Sequence, residues 1–396
     1  MFDSLPRVPP DPILGVSAAF QADHSPDKVD LGVGVYKDDT GRTPVPRAVK
    51  RAETDLLATQ DSKTYLTPVG NAAFNAQVAA LTLGSDFAGR KADLALAQTP
   101  GGSGALRLGA ALLTAARPGA AIHISDPTWA NHLPLLGSAG LGIERYPYYD
   151  AARNALDFER MLAALEALAP GSLVLLHACC HNPTGEDLDP AQWAALAEVI
   201  ARRQLLPFLD LAYQGLGEDL ERDAASIRLL ARAVPELLVA VSCSKNFGIY
   251  RERTGLLIAV TAGGEAGGII AGQLGRLART LWSMPPDHGA AVVERVLASA
   301  ELRADWTLEL QHMAARINAL RALLAERLSA ATQTDFGWIK RQRGMFSRLP
   351  LSAEQVQVAR ERHHLYMAPD GRINIAGLSP TNIDRVAQSL ATVLHP

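Results

Sequence analysis

Residues 173–213 read LVLLHACCHNPTGEDLDPAQWAALAEVIARRQLLPFLDLAY, and the alternation within that string decides the fold class. Leu173–Leu176 is a run without a polar side chain, as a strand covered on both faces requires. A turn follows, His181-Asn182-Pro183-Thr184-Gly185. Asp189 then supplies an N-cap and Pro190 suits the first helical position, while Trp193, Leu196, Ala197 and Ile200 fall at i, i+3, i+4 and i+7 on one apolar face. Leu206–Leu209 is a second apolar run, closed by Asp210. Strand, amphipathic helix, strand is the repeating unit of a parallel sheet with helices on both sides.

Outward from this unit the theme recurs at Leu94–Ala97, Ala121–Ile124, Leu238–Val241 and Leu256–Val260. The sequence therefore predicts an α/β fold with a largely parallel sheet, whose ligand site lies beyond the carboxyl ends of the strands. Five polar or small segments stand just there: Thr99–Ser103, Ser125–Trp129, His181–Gly185, Asp210–Tyr213 and Ser242–Lys245. After about Trp306, Met313, Ile317, Leu320, Leu324 and Leu328 mark a long helix leading into a second, smaller domain.

Composition bounds the partners. The 396 residues carry 38 Lys and Arg against 41 Asp and Glu, a net charge of −3, and 48% are hydrophobic. Such a chain buries a sizeable core and offers no basic surface for nucleic acid or anionic membrane. Residues 1–13 lack the basic and apolar regions of a secretory signal, and no run is long and apolar enough to span a bilayer. Cys179, Cys180 and Cys243 form neither a disulfide framework nor a zinc-binding spacing, so no metal is expected and a reducing cytoplasm fits.

The chemistry-bearing residues each admit two readings on their own. The turn Gly101-Gly102-Ser103-Gly104 opens a helix after a strand and can hold a phosphate, or be a plain tight turn. Counted from Gly102, a dinucleotide fingerprint needs glycine at the sixth position, where Arg107 stands. Asp210, at a strand end, either pairs with a cation such as a pyridinium nitrogen or caps the next turn. Lys245, just past an apolar strand, is either a desolvated amine fit for Schiff-base formation or a solvated charge. The Asn182 amide can donate to an oxygen. Arg253, Arg279 and Arg372 are far apart in sequence and recognise anions only if the fold gathers them.

Taken in order, Asp11-Pro12-Ile13-Leu14-Gly15, Gly34-Val35-Tyr36, Ser242-x-x-Lys245-Asn246-Phe247-Gly248 and Gly371-Arg372-Ile373-Asn374 resemble the class I aspartate and aromatic aminotransferases. These are fold-type I enzymes dependent on pyridoxal 5'-phosphate, and the resemblance runs nearly end to end. It implies a large, mostly parallel-sheet α/β domain and a smaller α+β domain. The implied order is an N-terminal arm over 1–12, the first part of the small domain over 13–45, the large cofactor-binding domain over 46–311, and the rest of the small domain over 312–396. It also implies a cytoplasmic homodimer with shared sites, acting on amino acids and 2-oxo acids by a ping-pong mechanism.

The implied roles fall on matching positions. Lys245 would hold the cofactor as a Schiff base and move the substrate proton. Asp210, backed by His132, would keep the pyridine nitrogen protonated, and Tyr213 and Asn182 would bond the ring oxygen. Trp129 and Ala212 would sandwich the ring. Gly102, Ser103, Ser242 and Arg253 would hold the phosphate, with Tyr65 reaching in from the neighbouring subunit. Arg372 would clamp the substrate α-carboxylate near Trp129, Asn182 and Gly34, and Arg279 of the neighbour would meet a distal carboxylate.

Some positions depart from the family pattern. Ser103 stands where many aspartate-selective members carry Thr, and Met284 replaces an Asn or Ser. Both lean toward aromatic substrates. Cys243 replaces an aromatic or polar residue and reads as packing, while Arg348 stands where an uncharged residue is commoner. The resemblance predicts amino transfer between aspartate, tyrosine or phenylalanine and 2-oxoglutarate. A decarboxylase or lyase with the same cofactor is the alternative within the fold, since fold does not fix reaction type. A nicotinamide-dependent oxidoreductase is the alternative outside it, and the broken glycine pattern disfavours that.

Overall fold

The computed structural model describes residues 2–5, 12–84 and 91–395. All six apolar runs are strands, and a seventh joins them. They are β1 (Leu94–Pro100), β2 (Ala121–Asp126), β3 (Gly142–Pro147), β4 (Leu173–His177), β5 (Leu206–Leu211), β6 (Leu237–Ser242) and β7 (Thr254–Val260). They form one sheet in the order β1-β7-β6-β5-β4-β2-β3. The pairs from β6 to β3 are parallel, whereas β7 runs antiparallel to both β6 and β1. The reason is the connection: residues 243–253 join β6 to β7 without a crossover helix, and only an antiparallel pair closes so briefly. That connection carries Lys245 and Arg253.

The strand missed in the sequence, β3, reads GIERYP and lies at the sheet edge with Gly142, Glu144 and Arg145 exposed. An edge strand needs no continuous apolar run, so it leaves none to read.

Side chains alternate across the sheet as a period of two demands. Leu175, Phe208, Leu238 and Leu257 face the helix Gly101–Ala116, packing with Leu106 and Leu108. Leu176, Leu209, Val239 and Ile258 face the opposite layer, where Trp193, Leu196 and Ile200 lie. Gly109 permits the first of these contacts, since a Cβ there would sit 2.4 Å from Phe208 Cζ. The helix Pro190–Arg202 begins with a capping box: Asp189 accepts from the Gln192 amide at 2.8 Å, and the Gln192 side chain accepts from the Asp189 amide at 2.9 Å.

The long helix spans Ala300–Thr332, starting before Trp306 because the Ser299 hydroxyl accepts from the Leu302 amide at 3.3 Å. Trp306 anchors the Lys245 loop: its indole stacks on Phe247 at 4.4 Å and donates to the Asn246 carbonyl at 2.7 Å. Both chain ends meet beyond this helix. Val29–Asp30 pairs with Leu365–Tyr366, and Phe346–Arg348 pairs with Arg372–Asn374. The Asn374 amide donates to the Val33 and Val35 carbonyls at 2.7 and 2.8 Å, drawing residues 32–36 toward the strand ends. Of the arm expected over 1–12, residues 1 and 6–11, including Asp11, lie outside the described residues. Among the described residues no helix is long and apolar enough to cross a membrane.

Candidate active site

The carboxyl ends of β4, β5 and β6 and the helix opening after β1 converge. Asp210 closes β5 and is buried. The β4–β5 register sets His177 beside it. Burial pushes the Asp210 carboxyl up, but the hydrogen bond and charge of His132, aided by Lys245, outweigh it and hold the group below its usual range. His132 Nε2 lies 3.1 Å from Asp210 Oδ2, and its Nδ1 lies 2.8 Å from the Thr128 hydroxyl, which is 3.1 Å from His177 Nε2. Burial lowers His177 to about 3, so this ring is neutral at physiological pH. Beside it His181 is bonded by Ser125 at 3.1 Å and Thr184 at 2.8 Å. The result is a hydrogen-bonded, largely buried backing that holds the Asp210 carboxylate as an anion.

Lys245 projects from the β6–β7 loop, its Nζ 4.8 Å from the centroid of the Tyr213 ring. Enclosure is the main influence on its amine and lowers it to about 8; Asp210 opposes that shift, and Arg253 and Arg372 assist it. A lysine so placed has a lone pair available near neutral pH.

Next to it lies an anion cradle. Gly101 has φ +72°, and a Cβ there would fall 2.6 Å from an Arg253 guanidinium nitrogen. A Cβ on Gly102 would fall 2.9 Å from the Ser242 Cβ. The two glycines thus let Arg253 and Ser242 approach the backbone at the positive end of the helix Gly101–Ala116, whose third residue is Ser103. Arg253 is steadied by donating to the Tyr250 carbonyl at 3.0 Å and the Ser244 hydroxyl at 3.4 Å.

On the other side, Arg372 is buried and donates to Asn182 Oδ1 at 3.1 Å and to the Gly32 carbonyl at 2.8 Å. Its Nε finds no partner among the described residues. The Phe346 ring lies 4.2 Å from its guanidinium carbon. A buried cation bonded only to neutral oxygens is prepared for an anion. Trp129 is half-buried and meets His132 edge-on at 5.2 Å.

The structure thus gathers Lys245, Asp210, Tyr213, His132, Trp129, Asn182, Gly102, Ser103, Ser242, Arg253, Gly34 and Arg372. It does not gather Tyr65 and Arg279: both stand exposed, Tyr65 at 90%. Thr128 and His181 fall inside the segments singled out in the sequence but were given no role of their own, and His177 and Phe346 were missed. His177 carried a signal, a polar residue ending an apolar strand, but only the register reveals what it faces. Cys243 is packed in the core, and the Arg348 Nε donates to the Asp370 carbonyl at 3.1 Å. Cys179, Cys180 and Asp223 offer ligand atoms within 4.8 Å of one another. Asp223 already accepts from the amides of Gly215, Gly217 and Glu218 at 2.7–2.9 Å, which makes it the anchor of a turn.

The family model for aminotransferase class I and II matches residues 26–390. The chain belongs to that family. This aminotransferase is 49% identical over 387 residues to a tyrosine aminotransferase of Rhizobium meliloti strain 1021, covering 98% of each chain. It is 42% identical over 399 residues to an aspartate aminotransferase of Pseudomonas aeruginosa, covering 100% of both. Among solved structures, it superposes with TM-score 0.96 on an aromatic-amino-acid aminotransferase of Burkholderia pseudomallei covalently bound to pyridoxal phosphate. Identity there is 47%, covering 100% of this chain and 99% of that one. The aminotransferase is a pyridoxal-phosphate-dependent transaminase of α/β fold-type I, and the decarboxylase, lyase and nicotinamide alternatives are not favoured. Its site fits that cofactor: a glycine cradle with Arg253 suits the phosphate, an anionic carboxylate suits a ring nitrogen, and a depressed lysine suits the aldehyde.

Proposed function

We propose that this aminotransferase moves amino groups between aspartate or an aromatic amino acid and 2-oxoglutarate, as a homodimer whose two sites share residues. The observation that carries the reading is the buried Arg372 guanidinium, with no partner for its Nε among the described residues, near enough for its charge to help depress the Lys245 amine. An α-amino acid needs both, one for its carboxylate and one for chemistry at its α-carbon.

Bound pyridoxal phosphate supplies an aldehyde that takes up the amino group and a protonated ring that withdraws electrons from the α-carbon. Gly102, Ser103, Ser242 and Arg253 would hold its phosphate, and Asp210, fixed by His132, would accept from its ring nitrogen. Tyr213 and Asn182 would serve the ring oxygen, and Trp129 and Ala212 would flank the ring. Lys245 would hold the cofactor and would carry the proton at the substrate α-carbon, a task suited to an amine near neutrality. Arg372 orients the α-carboxylate beside Gly34. Tyr65 completes the partner's phosphate site and Arg279 the partner's side-chain pocket, which is why both are exposed in a single protomer. The exposed Ile269 and Leu281 both lie on the Arg279-bearing helix Glu265–Leu281, as an apolar interface requires. Pairing of Val29–Asp30 with Leu365–Tyr366 supports a small domain formed from 13–45 and 312–396. Three unpaired cysteines fit a cytoplasmic setting.

Single-turnover spectroscopy of the cofactor-loaded enzyme tests the substrate reading. Loss of the cofactor absorbance at comparable rates with aspartate and phenylalanine is the expected result. Fast loss with aspartate alone would restrict the enzyme to dicarboxylates, and loss with neither would overturn the assignment of both substrate classes.

A further inference from the structure

Phe346 occupies the junction of the carboxylate-binding side. Its ring lies 4.2 Å from the Arg372 guanidinium carbon and meets Tyr213 edge-on at 6.0 Å. A Cβ on Gly34 would come within 2.8 Å of the Phe346 Cζ. A ring confined on three sides is placed by its own backbone, and that backbone is held from behind by Arg321 on the helix Ala300–Thr332.

Arg321 is 1% exposed, in the middle of the core. Its Nη1 donates to the Phe346 carbonyl at 3.2 Å and the Ser347 hydroxyl at 2.6 Å, and its Nη2 donates to the Gly344 carbonyl. None of these acceptors is a carboxylate, and its Nε has no partner among the described residues. Burying a cation on neutral acceptors is costly, and an aliphatic side chain of similar length would fill the space without that cost. An aliphatic chain could not, however, fix three acceptors along one segment; a planar fork of five donors does. The same segment touches the Asn182 turn: the Arg343 amide donates to the Gly185 carbonyl at 2.7 Å, and a Cβ on Gly185 would fall 2.4 Å from the Phe346 carbonyl oxygen. Of the three groups around the Arg372 guanidinium, the Phe346 ring therefore rests on the strip that Arg321 fixes and the turn bearing Asn182 packs against that strip, the third being the Gly32 carbonyl.

We infer that Arg321 is a positioning residue for recognition of the amino-acid carboxylate: by holding Gly344, Phe346 and Ser347 it seats the Phe346 ring against Arg372 and aims that guanidinium. This rests on the reading of Arg372 as the α-carboxylate clamp. The cation–π contact and the fixed fork are both lost when the strip relaxes, so the effect falls on carboxylate recognition rather than on the cofactor.

The test compares phenylalanine with 2-phenylethylamine, which lacks only the carboxylate, in half-reactions of the cofactor-loaded enzyme. Wild type should react far faster with phenylalanine. Arg321→Lys, which keeps the charge but not the fork, and Phe346→Leu should each lower the phenylalanine-to-amine rate ratio about tenfold, with cofactor content unchanged. Ser347→Ala removes a single acceptor and should lower it about threefold; being a mild change, it carries the test if Arg321→Lys fails to fold. Equal losses for both compounds, or an unchanged ratio in Ser347→Ala and Arg321→Lys, would overturn the inference while leaving the clamp intact. A wild type that does not distinguish the two compounds would overturn the clamp itself, and this inference with it.

Discussion

At Lys245 the surroundings, not the residue type, make the nucleophile. Enclosure brings its amine from the ordinary lysine range to about 8. Below that value the amine is an ammonium without a lone pair; above it, it is neutral and reactive. Covalent uptake of pyridoxal phosphate by the cofactor-free protein should therefore rise about tenfold from pH 7 to 9 and level off, whereas an unshifted lysine would rise about a hundredfold without levelling. Stopped-flow absorbance across that range separates the two. Lys245→Ala should abolish turnover yet keep the phosphate cradle, so it should still bind the cofactor reversibly; measurable turnover would contradict its role. Arg279→Leu should cost dicarboxylate substrates about a hundredfold in kcat/KM, because a distal carboxylate would be desolvated without its partner, and leave phenylalanine little changed. Equal losses for aspartate and phenylalanine would exclude that assignment. Lys245, Asp210 and Arg372 each admitted two readings alone, and only the order of the motifs along the chain singled them out. The His177 and Phe346 contacts were not legible, because each depends on a strand register or a ring packing that no spacing encodes.

Among the elements, the helix Pro190–Arg202 was the most legible, since cap, proline and apolar face are all local signals. Even there the reciprocal bond from Gln192 to the Asp189 amide emerged only in the structure. Asp189→Ala should cost about 1 kcal/mol by releasing that capping box, read as a lower denaturant midpoint with kcat unchanged. A loss of activity at unchanged stability would mean that the helix start acts on the neighbouring Asn182 turn rather than on the fold. Six strands declared themselves as apolar runs because layers on both faces bury them, and this includes β1 at the other sheet edge, where Ala95 and Ala97 are buried. The edge strand β3 did not, and the reversed direction of β7 was hidden as well, for direction lies in the connection. The short β6–β7 loop that reverses β7 also sets Lys245 and Arg253 at one end of the sheet, so topology and chemistry have a common cause.

At the scale of the whole molecule, one protomer leaves two expected site residues in solvent, Tyr65 at 90% exposure and Arg279 at the last turn of its helix. Composition and spacing could not show this, because a side chain destined for a partner resembles any surface residue. The proposed dimer makes a quantitative demand. Suppose protomers carrying Lys245→Ala are mixed with protomers carrying Arg279→Leu. In a mixed dimer, the site built on the intact Lys245 borrows its Arg279 from the other chain, which is unaltered there, so that site is complete. The second site lacks both residues. Random reassociation makes about half of the dimers mixed, each with one complete site of two, so dicarboxylate activity should return to about a quarter of the wild-type value. If Arg279 instead served its own protomer, every site in the mixture would lack one residue, and no activity above that of the separate variants would appear. A titration of the mixing ratio, with aspartate as substrate and phenylalanine as the control that ignores Arg279, distinguishes a shared site from a self-contained one without any structure of the assembly.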